Sequence, residues 1–150
     1  MPARRDLLLC AISSGATLLL AAAVASQTQS QVMSSRVIDW SSMTTRSTNV
    51  GAVRDLFRSP TATLDELEMH VTTLNAGLAS HAPHTHPNEE VVILKEGTLE
   101  VYANGDTVTV GAGSVLFFAS NQSHGVRNVG TGPATYHVIN WRSPGTGSGR

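Results

Sequence analysis

The strongest constraint on the fold is how often the chain is told to turn. Ser59-Pro60, Asn75-Ala76-Gly77, Glu96-Gly97, Asn104-Gly105, Gly111-Ala112-Gly113 and Gly130-Thr131-Gly132-Pro133 interrupt it at short intervals. Glycine and asparagine supply the positive φ that tight turns need, and proline sets φ and removes a ladder donor. Asn104-Gly105 is the strongest two-residue hairpin signal. Between these points lie short runs rich in Val, Ile, Leu and Thr, and no long segment has helical periodicity. The pattern predicts an all-β domain of roughly eight to ten short strands, a small sandwich or barrel.

The expected strands can be placed. Val37 to Trp40 reads as a first edge strand, and Ser41 to Asn49 as a polar loop. Ala52 to Arg58 alternates around Val53 and Leu56-Phe57, and Leu64 to Leu67 reads as a helical turn or the start of a strand. From Leu67 the alternation puts Leu67, Met69, Val71 and Thr73 on one face and Glu68, His70, Thr72 and Leu74 on the other. Glu90 to Lys95, Thr98 to Tyr102, Thr107 to Val110, Ser114 to Phe118, His124 to Val129 and Ala134 to Trp141 complete the series.

Before this series lies a segment of different character. Arg4-Arg5 precedes an apolar stretch that ends at Ala23-Val24-Ala25, a small-x-small site. This reads as an export signal over residues 1–25, cleaved after Ala25, with an uncleaved anchor as the alternative. Arg4-Arg5-Asp6-Leu7-Leu8 resembles a twin-arginine signal, although Ala3 stands where Ser or Thr is usual. Residues 26–35 read as a polar linker, 36–142 as the barrel and 143–150 as a flexible Gly/Ser-rich tail. Export predicts a periplasmic or secreted protein with no membrane span in its mature form. The only cysteine, Cys10, lies in the signal, so thiolate metal sites, disulfides and cysteine nucleophiles are excluded from the exported domain. A net charge of -1 gives no electrostatic footprint for nucleic acid.

The chemistry concentrates in His84-Thr85-His86-Pro87-Asn88-Glu89-Glu90. In an extended chain, residues i and i+2 point the same way, so His84 and His86 can aim at one point. Pro87 bars a helix and favours a bend, after which Glu90 can return to that point as the next strand begins. Two imidazoles and a carboxylate converging this way suit a divalent metal with an open side. A Glu90 side chain facing an apolar interior is costly unless paired or bound to a cation.

These residues, with a second group downstream, resemble the cupin superfamily, and specifically its small single-domain bacterial members. The first cupin motif reads Gly77, His84, His86, Glu90 and Gly97, with Gly77 one residue further upstream than usual. The second reads Gly113, Ala119, Asn121, His124 and Asn128, with Ala119 in place of proline and Asn121 in place of glycine. Asparagine tolerates the positive φ that the glycine would supply. With flanking strands, the resemblance covers about Val37 to Trp141. It implies a six- to ten-stranded antiparallel jelly-roll β-barrel, the double-stranded β-helix. It implies His84, His86, Glu90 and His124 as metal ligands inside the barrel, with Mn, Fe, Ni, Co or Zn as the ion. Such a set leaves about two octahedral positions for a chelating small molecule or oxygen. It also implies a homodimer formed through edge strands.

Other residues carry weaker expectations. Glu89 is expected on the solvent side or behind the ligands. His81 reads as a loop histidine near the barrel mouth, and His70 and His137 as satisfied core or surface histidines, with an inward contact to the site as the alternative. Trp40 and Trp141 read as packing or interface residues, and one of Phe117 and Phe118 should face inward. No nucleophile-elbow pattern supports a serine hydrolase. The resulting expectation is an exported metalloenzyme of dioxygenase or isomerase type acting on a small molecule, with Glu90 as a candidate acid/base. The alternative is a non-catalytic metal- or small-molecule-binding module of the cell envelope.

Overall fold

The computed structural model describes residues 32–145. The expected export signal with Cys10, most of the expected linker and the end of the expected tail lie outside the described residues. Among the described residues nine strands run in order: β1 (Arg46–Thr48), β2 (Gly51–Ser59), β3 (Glu66–Leu74), β4 (Glu89–Glu96), β5 (Thr98–Ala103), β6 (Asp106–Gly111), β7 (Val115–Phe118), β8 (His124–Asn128) and β9 (Ala134–Arg142). All pairings are antiparallel. They form a six-stranded sheet, β1-β2-β3-β9-β4-β7, and a three-stranded sheet, β6-β5-β8. Among the described residues no helix is long and apolar enough to cross a membrane.

The turns fall where the dipeptides place them. Asn104 and Gly105 both take positive φ, 50° and 106°, and join β5 to β6 as a two-residue hairpin. Gly97 has φ 94°, and a Cβ there would lie 2.6 Å from the Ala134 Cα. The β4–β5 turn therefore needs glycine both for its conformation and for its close approach to β9.

The core forms between the inner faces of the two sheets. Leu74, Val92, Leu94, Leu116, Phe118 and Val138 of the large sheet meet Leu99, Val101 and Val126 of the small one. The predicted parity holds: Phe118 is buried while Phe117 is 57% exposed, and Val92 and Leu94 are buried alternately with outward neighbours. Asn128, from the second motif, is fully buried. Its amide nitrogen donates to the Leu74 and Gly132 carbonyls at 3.0 and 2.8 Å, and its Oδ1 accepts from the Gly130 N–H at 2.9 Å. It ties β8 to the end of β3 and to the following turn.

Strand register decides which inward side chains lie abreast. One row reads Glu68, Asn140, Glu90 and Phe118 across β3, β9, β4 and β7. The next reads His70, Val138, Val92 and Leu116, and the third Thr72, Tyr136 and Leu94.

Several expectations need correction or completion. Val37 to Trp40 is not a strand. The Asp39 side chain accepts the Ser41 N–H at 2.9 Å and starts a 3-10 turn over Trp40–Ser42, a local bond that competes with strand pairing. The edge position belongs instead to β1, within the stretch read as loop. The Leu64–Leu67 ambiguity resolves as the approach to β3, with the Leu64 N–H held by Thr61 Oγ1 at 3.0 Å. The adjacent apolar pair Leu56-Phe57 is explained by a register shift between Asp55 and Phe57, which turns one extra residue out of the alternation. Met33, in the expected linker, donates its N–H to the Pro60 carbonyl at 2.9 Å.

Trp40 packs on the outer face. Lys95 Nζ and Arg54 Cζ lie 4.0 and 4.7 Å from its ring centroid, and the His137 ring is 6.4 Å away. Arg54 and His137 flank Val71 in register, and Val71 has no exposed surface. Lys95, for which the sequence suggests no role, is thus one of two cations bracketing this tryptophan.

Candidate metal centre and cavity

His84 and His86 do not lie on a regular strand. The segment after Gly77 runs antiparallel to β8 through two isolated bridges, Ala79 with Arg127 and His84 with His124. His84 and His124 exchange both backbone hydrogen bonds at 3.0 Å. The Asn121 N–H donates to the His86 carbonyl at 2.8 Å, and Asn121 has φ 60°, the conformation expected of the glycine it replaces. These backbone bonds bring two distant motifs together. His84, His86 and His124 each offer a ring nitrogen within 4.8 Å of the others.

The hydrogen bonds also settle which nitrogen faces inward. His86 Nδ1 lies 2.9 Å from the Asn88 carbonyl and His124 Nδ1 2.8 Å from the Gln122 carbonyl. A carbonyl only accepts, so both Nδ1 atoms carry protons. In the neutral rings each Nε2 then presents a lone pair, as metal-binding imidazoles do. His124 Nε2 is buried with no hydrogen-bond partner, and the residue is 2% exposed. Burial, followed by the neighbouring His81, His124 and His86 rings, holds His84 below the usual imidazole range, with its backbone bond to His124 opposing. The His84 ring is thereby disposed to be a neutral donor.

Glu90 faces inward beside them, and Glu89 faces outward, accepting the Trp141 Nε1–H at 3.0 Å. Glu90 Oε2 lies 3.5 Å from His86 Nε2 and accepts the Asn140 amide at 3.2 Å. Its oxygens fall outside the set of atoms within 4.8 Å of one another. With Nδ1 protonated, His86 Nε2 and Glu90 Oε2 are two electron-pair donors facing each other. A proton or cation between them relieves the repulsion. The orphaned His124 nitrogen and this facing pair fit a divalent cation chemically.

A cavity of about 340 Å³ opens beside His124 and Glu90. That is room for a small molecule. Its polar lining includes His70, Thr72, His81 and Tyr136, set among apolar core side chains. His81, expected at the mouth, is exposed, and its ring centroid is 4.1 Å from that of His84. His70 takes the inward alternative, while His137 lies on the outer face near Trp40. Burial pushes the Tyr136 phenol up to about 12, the nearby Glu90 charge adding to this and the Ser80 and Thr72 hydroxyls opposing it. Tyr136 is therefore a proton donor at ordinary pH.

Sequence reasoning did not single out Tyr136 or Asn140. Both share the inward parity of Ala134 and Val138 on β9, which was the available signal. Nothing local marks Asn140 as the partner of Glu90, because that depends on the β4–β9 register.

Residues 70–140 match the sequence profile described as a cupin domain. No curated protein sequence matches the chain. Among solved structures, an RmlC-like cupin from Shewanella frigidimarina aligns with a TM-score of 0.61 at 15% identity, covering 75% of this chain and 95% of that one. A Thermotoga maritima protein described as a predicted oxalate decarboxylase aligns with a TM-score of 0.59 at 20% identity, covering 71% and 99%. A Silicibacter pomeroyi protein described as a sugar phosphate isomerase from a cupin superfamily aligns with a TM-score of 0.57 at 21% identity, covering 73% and 77%. At these identities the likeness is one of fold, and the fold is the cupin jelly-roll barrel.

Proposed function

We propose that the protein is an exported cupin that binds a divalent metal through His84, His86, His124 and Glu90 and acts on a small chelating molecule in the adjacent cavity, as a dioxygenase- or isomerase-type enzyme. One observation carries the reading: three imidazole nitrogens from two motifs lie within 4.8 Å of one another. When bound, a divalent cation supplies Lewis-acid polarisation of a ligand oxygen, and Mn or Fe adds redox capacity.

The chain's own residues supply the rest. The Asn88 and Gln122 carbonyls hold His86 and His124 in the Nδ1–H tautomer. Asn140 orients Glu90, whose second role is to hold or move a proton beside the ligand. Core side chains exclude water from the inner cavity wall, and Tyr136 keeps its proton to donate a hydrogen bond.

Export rests on the Arg4-Arg5 start and the Ala23-Val24-Ala25 site, and it places the mature protein in the periplasm or outside the cell. Replacing Arg4 and Arg5 by Lys blocks export if the twin-arginine route is used, and normal export of that variant rules the route out. A homodimer is supported by β7, which pairs on one side only in its sheet and presents Val115 at 66% and Phe117 at 57% exposure.

The central test is metal content of the purified protein with an oxygen-uptake and turnover screen. One equivalent of metal, lost in His84→Ala and His124→Ala, is the expected result. Full occupancy in both variants refutes the ligand set. Metal binding without turnover of any substrate supports the binding-module alternative.

A further inference from the structure

Outside the metal-binding cluster, one titratable side chain on the cavity wall, His70, is backed by a buried carboxylate, Glu68. Glu68 and His70 are two residues apart on β3 and face inward together. His70 Nδ1 lies 2.6 Å from Glu68 Oε1, and Glu68 is only 8% exposed. A buried carboxylate accepts, so the ring nitrogen facing it is Nδ1–H. The polar atom left to His70 is Nε2, and His70 lines the cavity while Glu68 does not. Glu68 thus acts behind His70 and fixes its tautomer.

The position is distinct from the metal-binding cluster. In its row His70 is separated from β4 by Val138 on β9, so its Cα lies two strand spacings, about 10 Å, from that of Val92. The intervening side chain, Val138, is apolar. A ligand held near Glu90 and His124 meets His70 with its far end. Of the other cavity groups, Tyr136 keeps its proton and offers a donor, and Glu90 is engaged by Asn140.

Resting on the proposed function, we infer that the Glu68–His70 pair is a specificity element. His70 Nε2 accepts a hydrogen bond from a hydroxyl at the far end of the ligand, and Glu68 is the positioning residue. The ligand class is then a small chelator with a hydroxyl remote from its chelating group.

The test uses the zinc-loaded full chain and two probes, salicylate and 2,4-dihydroxybenzoate. Both chelate through the carboxylate and 2-hydroxyl, and only the second has a remote hydroxyl. Calorimetry is expected to show a preference of about tenfold for 2,4-dihydroxybenzoate, the size of one well-made hydrogen bond. His70→Phe abolishes the preference, so that it binds the two probes with equal affinity, and zinc content is unchanged. Nitrogen-15 spectra of the wild type show His70 as the Nδ1–H tautomer, and Glu68→Ala shifts it toward Nε2–H. Equal affinity for the two probes, a preference surviving in His70→Phe, or an Nε2–H wild-type tautomer overturns the inference alone. Failure of both probes to bind the zinc-loaded protein overturns the chelating-ligand reading and this inference with it.

Discussion

His124→Leu sets the requirements of the site against those of the fold. In the wild type the His124 side chain donates one bond, from Nδ1 to the Gln122 carbonyl, and stacks on Phe118 with centroids 4.3 Å apart and planes at 12°. Losing the hydrogen bond costs about 1 kcal/mol, since Gln122 is exposed and water replaces the donor. Losing the aligned stack costs about 1 kcal/mol more, part of it recovered by leucine packing in the same space. Against this, the buried Nε2 has no partner. Removing an unsatisfied buried polar atom returns about 1–3 kcal/mol. The terms nearly cancel, so in EDTA the variant unfolds within about 1 kcal/mol of the wild type. Zinc at 100 times its Kd then stabilises the wild type by about 2.7 kcal/mol and the variant not at all. For a domain of this size that separates the melting temperatures by about 10 °C. Urea denaturation and thermal melts with EDTA and with zinc measure both numbers. A loss above about 3 kcal/mol in EDTA would show that Nε2 is satisfied, and equal stabilisation by zinc would show that His124 is no ligand.

Three further outcomes follow from the geometry. Tyr136 titrates at about 12 in the folded protein against an ordinary value of 10.0, so its stabilising difference is intact below pH 10 and is lost as pH rises from 10 to 12. The loss is about 3 kcal/mol; Tyr136→Phe removes it, and a wild-type-minus-variant stability that stays flat across that window contradicts the burial argument. Asn128→Ala leaves the Leu74 carbonyl and the Gly130 N–H without their partner and should cost about 3 kcal/mol in chemical denaturation, whereas a loss below about 1 kcal/mol would mean water replaces it. Gly97→Ala forces a Cβ to 2.6 Å from the Ala134 Cα at φ 94° and should cost about 3 kcal/mol, and a melting temperature equal to wild type would refute the close approach.

Much of the fold is legible because strand chemistry is local. Asn104-Gly105 announces a hairpin through the positive φ of both residues, and Phe117-Phe118 divides between two faces because successive side chains alternate. Asn121 is readable as a glycine substitute for the same kind of reason. Trp40 and β1 escape such reading because a sequence-local Asp39 bond to Ser41 outcompetes a weak strand preference, and nothing local reveals that the outer face above Val71 needs covering.

The metal-binding candidates show the same division. Residue type and spacing determined that His84 and His86 could aim together, and that Glu90 would face inward with Val92 and Leu94. Only the tertiary structure decided that β8 bonds to the His84 segment, that His70 rather than His137 reaches the cavity, and that Glu68, Asn140 and Glu90 share one row. The physical reason is that a two-residue period sets the direction of a side chain relative to its own strand. Which side chain it meets depends on the register between strands, and β3, β4 and β9 acquire theirs through pairing across long stretches of chain.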